Sequence, residues 1–151
     1  MAERKSSGWS LAGILKAHTG FAITVTAPDQ SLTGARSGRP DRIASGVGPR
    51  QAGPGRLWFD TSAFVLPRAG TFGNAGVGIV RGPTLRVIDL SVAKQIAVAS
   101  QRSLELRAEA FNVLNTPVFE APDRNLTSAT FGQVLNSQLE REIQLGVRVR
   151  F

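Results

Sequence analysis

Hydrophobic and polar residues alternate with a period of two in four separate segments of this chain, which is typical of β-strands with two unlike faces. In the segment 142–151, five apolar residues alternate with four polar residues and one glycine. The segments 103–111 and 85–97 repeat the pattern. Another segment begins at Trp9 and reaches at least Leu15, and residues 21–26 continue this strand or form an adjoining one. Glycine and proline interrupt the windows in which a helical period could be sustained. The pattern therefore predicts an all-β protein.

The connections between these segments predict how the strands are arranged. A long connection, 27–84, is followed by a short one at about 98–102 and by a second long one, 112–140. Long structureless connections are uncommon in compact soluble domains, whereas outer-membrane barrels combine short periplasmic turns with long extracellular loops. Membrane-spanning β-strands need about 9–11 residues. We therefore expect an antiparallel meander of about four to five strands, part of a transmembrane β-barrel, with long irregular loops.

The same arrangement predicts an aromatic girdle. If the strand 141–151 descends to the periplasm, the strand that begins at Trp9 ascends, so Trp9 and Phe151 lie at the same membrane interface on the lipid face. Aromatic side chains are enriched at such interfaces. The alternative is a tryptophan in a soluble core and a disordered terminal phenylalanine.

Positive charge is concentrated in one part of the chain. The net charge is +7, and the stretch 30–86 contains eight arginines and two acids, which is 8 − 2 = +6. The same stretch holds 11 of the 16 glycines. This composition predicts a solvated loop, in which Arg36, Arg39 and Arg42 are candidates for contacting an anionic ligand or lipopolysaccharide.

A second interpretation of this stretch stays open. Phe59, Phe64 and Phe72 lie among the arginines, and aromatic side chains between basic residues can stack on nucleic-acid bases. A soluble all-β module whose Arg/Gly-rich loop binds nucleic acid or another polyanion is therefore the alternative, although we expect no nucleic-acid partner. A third possibility is a reading-frame remnant without a function of its own.

Candidate catalytic and metal-binding residues are few. The chain has no cysteine and a single histidine, His18, which argues against thiolate zinc sites, multi-histidine metal sites and a Ser-His-Asp triad. Glu105 and Glu109 flank Arg107 on one predicted strand face, which indicates a ladder of charges rather than an acid–base pair. We expect no cofactor, no metal and no enzymatic activity.

The last segment resembles the assembly signal of bacterial outer-membrane proteins. The residues that carry the resemblance are Gln144, Gly146, Val149 and Phe151: a polar residue, a glycine, a hydrophobic residue and a terminal aromatic. In that family the signal is read by the barrel-assembly machinery. A glycine at this position allows another strand to approach closely.

A wider resemblance covers nearly the whole chain, from about residue 8 to 151. Several blocks resemble, in this order, the final part of TonB-dependent receptors of the Oar-like kind. They are Trp58–Phe64, Gly70–Gly76, Arg81–Pro83, Asp89–Ser91, Arg107–Pro117 and Ala129–Gly132. The block Arg107–Pro117, followed by a barrel-terminal strand, is the most specific of them.

The resemblance implies a plugged barrel of about 22 strands in the bacterial outer membrane, which takes up a ligand with energy from TonB. Four or five strands cannot close such a barrel, because the smallest have eight. We therefore expect residues 1–151 to be a C-terminal barrel segment with strands near 9–26, 85–97, 103–111 and 141–151 and outer loops 27–84 and 112–140. We expect no plug domain and, from the charged start Met1–Lys5, no signal peptide. Outer-membrane lipid and the barrel-assembly machinery are the expected partners, with TonB and a transported ligand only in the intact receptor.

Overall fold

A computed structural model describes residues 8–99 and 102–151 of the chain, and its regular elements are almost entirely β-strands. No helix among these residues has the length and apolar composition needed to cross a membrane. In chain order the elements are β1 (Trp9–His18), β2 (Ala22–Ile23), β3 (Asp41–Arg42), a 3-10 turn (Thr61–Ala63), β4 (Phe64–Val65), β5 (Val80–Arg81), β6 (Leu85–Ala99), β7 (Arg102–Phe111), β8 (Val118–Phe119), β9 (Ser137–Gln138) and β10 (Glu142–Arg150). The all-β prediction is confirmed.

The four long strands form one sheet in the order β1-β6-β7-β10. This order follows the chain, so the sheet is the predicted meander. Strands β6 and β7, and β7 and β10, pair antiparallel, and their register places Val92, Ala108 and Leu145 side by side. Because side chains alternate across a strand, this register gives the sheet one apolar and one polar face.

The first strand is shorter than the sequence predicts. The segment expected over 9–26 ends as a strand at His18. At Gly20 the chain runs so close to Gly82 that a Cβ atom on Gly20 would lie 1.8 Å from the Gly82 carbonyl oxygen. Residues 22–23 then pair with β5 in a separate two-stranded sheet. A close backbone approach that only glycine permits therefore accompanies the exit of the chain from the large sheet.

The residues outside the long strands form a compact unit of their own. The chain divides into a sheet unit, residues 1–17, 86–117 and 139–151, and a loop unit, His18–Leu85 and Val118–Gln138. In the loop unit the ring of Phe59, with 2% of its surface exposed, packs edge-on against Phe131 (5.3 Å between centroids) and Phe64 (5.8 Å). The expected long irregular loops are present, and both connections also contribute to a hydrophobic core.

Two expectations concern residues outside the described part of the chain. The charged start Met1–Lys5, on which the signal-peptide prediction depends, lies in the segment 1–7 that is not described. The centre of the short connection, residues 100 and 101, is not described either. Since β6 ends at Ala99 and β7 begins at Arg102, the connection has the predicted short length.

Candidate functional site

The apolar face of the sheet unit is open rather than covered by other parts of that unit. Leu145 is 81% exposed, and the other large apolar side chains that share its face are exposed as well. Exposed apolar patches this continuous mark an interaction or membrane surface. The exposed members on this face are Trp9, Leu11, Leu15, Leu90, Val92, Ile96, Leu106, Ile143, Leu145, Val147 and Val149.

The opposite face carries the ladder of charges that the sequence predicts. A guanidinium nitrogen of Arg107 lies 2.8 Å from a carboxylate oxygen of Glu105, and the other lies 3.7 Å from Glu109. The Arg150 guanidinium approaches Glu105 to 3.8 Å. Since the arginine side chains are about half exposed, each pair contributes little stability in water. The ladder forms a polar, charged surface and brings together no acid–base pair.

The assembly-signal residues are distributed over both faces of β10. Gln144 lies on the polar face opposite Glu109, and Gly146 lies opposite Arg107. Val149 lies on the apolar face opposite Leu104, and Phe151 follows the strand with 91% of its surface exposed.

Strand β7 does not approach Gly146 unusually closely. A Cβ atom added to Gly146 would lie 3.9 Å from the Cβ of Arg107, which is ordinary van der Waals contact. Strand β7 therefore does not need a glycine at this position. Strand β10 is at the edge of the sheet, so any close approach that requires Gly146 comes from the other side.

The two candidate girdle residues lie toward one end of the sheet. The backbone N–H of Gln95 donates to the Gly8 carbonyl oxygen (2.7 Å), which places Trp9 near the end of β6 that leads into the short connection. Phe151 follows Arg150, which pairs with Ser103 at the beginning of β7. The ammonium of Lys94 lies 4.7 Å from the centroid of the Trp9 ring, an attractive cation–π arrangement. Lys94 lies on the same face as Leu90 and Val92 and interrupts the apolar surface.

A buried asparagine holds the end of β7. Asn112 is 2% exposed and has a left-handed backbone with φ of 48°, a conformation that asparagine tolerates better than most residues. Its side-chain amide donates to the carbonyl oxygens of Thr116 (3.0 Å) and Leu139 (2.6 Å), and its backbone N–H donates to the Asp89 carboxylate (2.9 Å). Sequence reasoning assigned Asn112 no role of its own, although it lies in the block Arg107–Pro117.

The three candidate anion-contacting arginines differ in their surroundings. The Arg39 guanidinium donates to the Ala75 carbonyl oxygen at 2.9 Å, and that of Arg42 donates to the carbonyl oxygens of Ala44 and Ser45. Both therefore brace the backbone of the loop unit. Of the three side chains, only that of Arg36 has no hydrogen bond or ion pair with the part of the chain that is described.

The phenylalanines among the arginines are also not equivalent. Phe59 and Phe64 are buried in the core of the loop unit, whereas Phe72 is 75% exposed. Two of the three rings that favoured base stacking are therefore inaccessible to a nucleic acid.

The aspartates of the loop unit organise its turns. Asp123 accepts hydrogen bonds from the Asn125 N–H (3.0 Å) and the Thr130 hydroxyl (2.7 Å). Burial opposes ionisation, but these hydrogen bonds and one from Ser128 outweigh it and hold the pKa of Asp123 below its ordinary value. The Ser31 hydroxyl and N–H likewise lower the pKa of Asp29. Among the described residues no cluster of histidine, aspartate and glutamate is suited to hold a metal ion.

A β-sheet with one exposed apolar face and one charged face has the construction of a membrane β-barrel wall. A family model described as an outer membrane beta barrel domain matches residues 2–144. No curated protein and no solved structure matches the chain. The chain therefore belongs to the outer membrane beta barrel domain family, and it is a protein of the bacterial outer membrane. This location contradicts the alternative of a soluble module.

Proposed function

We propose that this chain is part of the barrel of a TonB-dependent receptor of the Oar-like kind, which takes up a ligand across the outer membrane and catalyses no reaction. The observation that carries the proposal is how the blocks that resemble these receptors meet in the fold. Within the sheet unit, Asp89 of one block accepts a hydrogen bond from Asn112 of another. Within the loop unit, Phe59 of one block packs on Phe131 of another. Because the blocks contact one another in pairs, they support an architecture shared with these receptors rather than a chance similarity in sequence.

The two faces of the sheet unit then have different roles. The apolar face contacts lipid, because hydrocarbon surrounds the outer surface of a barrel, and the charged face lines the lumen. Trp9, Lys94 and Phe151 lie near the periplasmic interface, where aromatic and long cationic side chains are favoured. The barrel-assembly machinery recognises Gln144, Gly146, Val149 and Phe151 on the last strand.

Both edge strands need neighbours. Strands β1 and β10 are the two edges of the sheet, and unpaired backbone groups are not tolerated in hydrocarbon. In the proposed receptor, further strands of the barrel pair with both edges. Uptake then depends on a plug and on TonB, which act together with this barrel segment.

The first test is cysteine scanning, because the chain has no native cysteine. Variants with Leu145→Cys or Gln144→Cys are expressed in cells, so that the protein assembles in the native outer membrane. The cells are permeabilised and then labelled with a membrane-impermeant, water-soluble maleimide. We expect labelling of position 144 and protection of position 145. Equal labelling of both positions would contradict the barrel-wall placement.

The second test addresses the receptor class separately. The DNA that precedes the codon for Met1 is sequenced and translated in all frames. A reading frame with more alternating strands and a plug domain supports the TonB-dependent receptor. If alternating labelling is found but the DNA encodes no plug, the chain is an outer-membrane barrel of another class.

A further inference from the structure

The loop unit uses its acidic side chains internally. Asp29 and Asp60 accept hydrogen bonds from the N–H and hydroxyl groups of Ser31 and Ser62, respectively. The other three acids of the unit do the same with uncharged partners: Asp41 with the Asn74 N–H, Glu120 with Asn136 and Gln138, and Asp123 with Asn125 and Thr130. None of these five carboxylates forms an ion pair with a described residue.

The arginines of the same unit are therefore left without ionic partners. The unit contains eight arginines and no lysine: Arg36, Arg39, Arg42, Arg50, Arg56, Arg68, Arg81 and Arg124. The ion pairs found among the described residues all involve Lys16, Arg107 or Arg150, which lie in the sheet unit. The surface of the loop unit is consequently cationic, and its acids do not neutralise it by direct contact.

Two of these arginines line the same depression. Arg50 and Arg81 lie with Gly46, Gly48 and Trp58 around a cavity of about 80 Å³. Neither guanidinium has a hydrogen bond or ion pair with a described residue.

Trp58 fixes the backbone of both arginines. The Arg50 N–H donates to the Trp58 carbonyl oxygen at 3.0 Å, and the Trp58 indole N–H donates to the Arg81 carbonyl oxygen at 2.7 Å. Arg50 also has a left-handed backbone with φ of 55°, which is uncommon for a residue with a long side chain. Strained backbone of this kind is concentrated at ligand-binding sites. The two cationic residues are thus placed on a rigid frame.

We propose that the depression between Arg50 and Arg81 binds a single phosphate-like oxyanion group. Guanidinium groups bind phosphate through paired, charge-assisted hydrogen bonds. The cavity is well below the roughly 300–1,000 Å³ of sites that enclose drug-sized ligands, so it accommodates one charged group of a larger molecule. That group belongs to lipopolysaccharide or to a soluble phosphorylated ligand. The site lies within the loop unit alone and does not depend on TonB.

The test measures binding to the 151-residue chain in detergent micelles by isothermal titration calorimetry. The titrants are inorganic phosphate, a soluble sugar phosphate and lipopolysaccharide. Arg50→Gln combined with Arg81→Gln is compared with Arg68→Gln combined with Arg56→Gln, which removes the same charge elsewhere on the loop unit. We expect the first pair to weaken binding about tenfold or more, as the loss of charged hydrogen bonds requires, and the second pair to change it less than about twofold.

A measurement on the unchanged chain covers the case in which the double variant does not fold. Phosphate is expected to protect Arg50 and Arg81, but not Arg68, from modification by phenylglyoxal, as mapped by mass spectrometry. If the chain binds the sugar phosphate but not lipopolysaccharide, the ligand is a soluble phosphorylated molecule. If it binds lipopolysaccharide but not the sugar phosphate, and dephosphorylation of the lipopolysaccharide abolishes binding, the ligand is the lipid. Equal loss in both double variants, or uniform protection of all three arginines, would overturn the site. Either failure leaves the cysteine-labelling test of the barrel wall unaffected.

Discussion

The side-chain amide of Asn112 donates a hydrogen bond of 2.6 Å to the carbonyl oxygen of Leu139, which lies 27 residues further along the chain. The same side chain binds both the N–H and the carbonyl oxygen of Thr116. One buried residue therefore connects the end of β7 with the segment that enters β10.

Asn112→Ala should lower the free energy of unfolding by about 1–3 kcal/mol, because the side-chain hydrogen bonds of Asn112 to Thr116 and Leu139 are lost. Urea unfolding of the chain in detergent measures the loss. Asn112→Gly is the control, since glycine adopts a left-handed backbone without strain. If the glycine variant is as stable as the wild type, backbone conformation rather than hydrogen bonding is the role of Asn112.

Leu145 and Gln144 are neighbours on opposite faces of β10, and arginine substitutions should distinguish the faces. Leu145→Arg places a charge near the middle of the strand on the apolar face, which costs about 2–4 kcal/mol in a bilayer. Gln144→Arg adds the same charge to the polar face and should be tolerated. Assembly of the intact barrel that carries each substitution into the outer membrane, followed by protease protection, measures both variants. Equal insertion of the two would disprove the assignment of the faces.

Gly146→Ala should separate folding from recognition by the assembly machinery. The structure has space for the added methyl group, so refolding and stability in detergent should change by less than about 0.5 kcal/mol. Assembly into the outer membrane of living cells should fall if the machinery reads this glycine.

Gly48→Ala is the control for Gly146→Ala, because an added methyl group at Gly48 would clash with the backbone. A Cβ atom at Gly48 would lie 2.3 Å from the Cα of Phe59, so Gly48→Ala should destabilise the loop unit by about 1–3 kcal/mol. A Gly146→Ala variant that unfolds as easily as Gly48→Ala would show that β10 itself needs the glycine.

Acid should destabilise the loop unit through Asp123. The pKa of this carboxyl is lowered from 3.8 in the folded state, so its contribution to stability is complete above the unfolded pKa. The contribution is lost as the pH falls below about 4 and through the folded pKa. The fluorescence of buried Trp58, in a Trp9→Phe background, reports the transition. Asp123→Asn should reduce the pH dependence of the free energy of unfolding in this range. Asp29→Asn should leave the contribution of Asp123 to that pH dependence unchanged. An identical acid transition in Asp123→Asn would exclude this carboxyl as its cause.

The large sheet could be predicted from the sequence because each of its strands obeys a local rule. Residues 142–151 alternate without interruption, and β10 occupies nearly the same range. The end of β1 at His18 could not be predicted, since the close approach that follows it joins Gly20 to Gly82, far away in the sequence. Alternation places Lys94 on the apolar face with Leu90 and Val92, but it does not show that the Lys94 ammonium lies against the ring of Trp9.

The loop unit escaped prediction for a different reason. Phe59, Phe64 and Phe131 follow no strand or helix period, so nothing in the local pattern marks them as one cluster. The local composition of glycine and arginine indicated a solvated loop instead. What decides their burial is contact between segments far apart in the chain, and sequence periodicity does not report such contacts.

The loop unit joins two connections that a barrel usually exposes as independent loops. The Thr26 N–H donates to the Arg124 carbonyl oxygen, and the Leu126 N–H donates to the Thr26 carbonyl oxygen, both at 2.9 Å. Val134 and Phe131 from one connection complete a core that Phe59 and Val25 from the other begin. Neither connection can therefore be shortened, exchanged or released from the surface alone. Variation in the loop unit must change both segments together, as it would in a small domain inserted in two pieces.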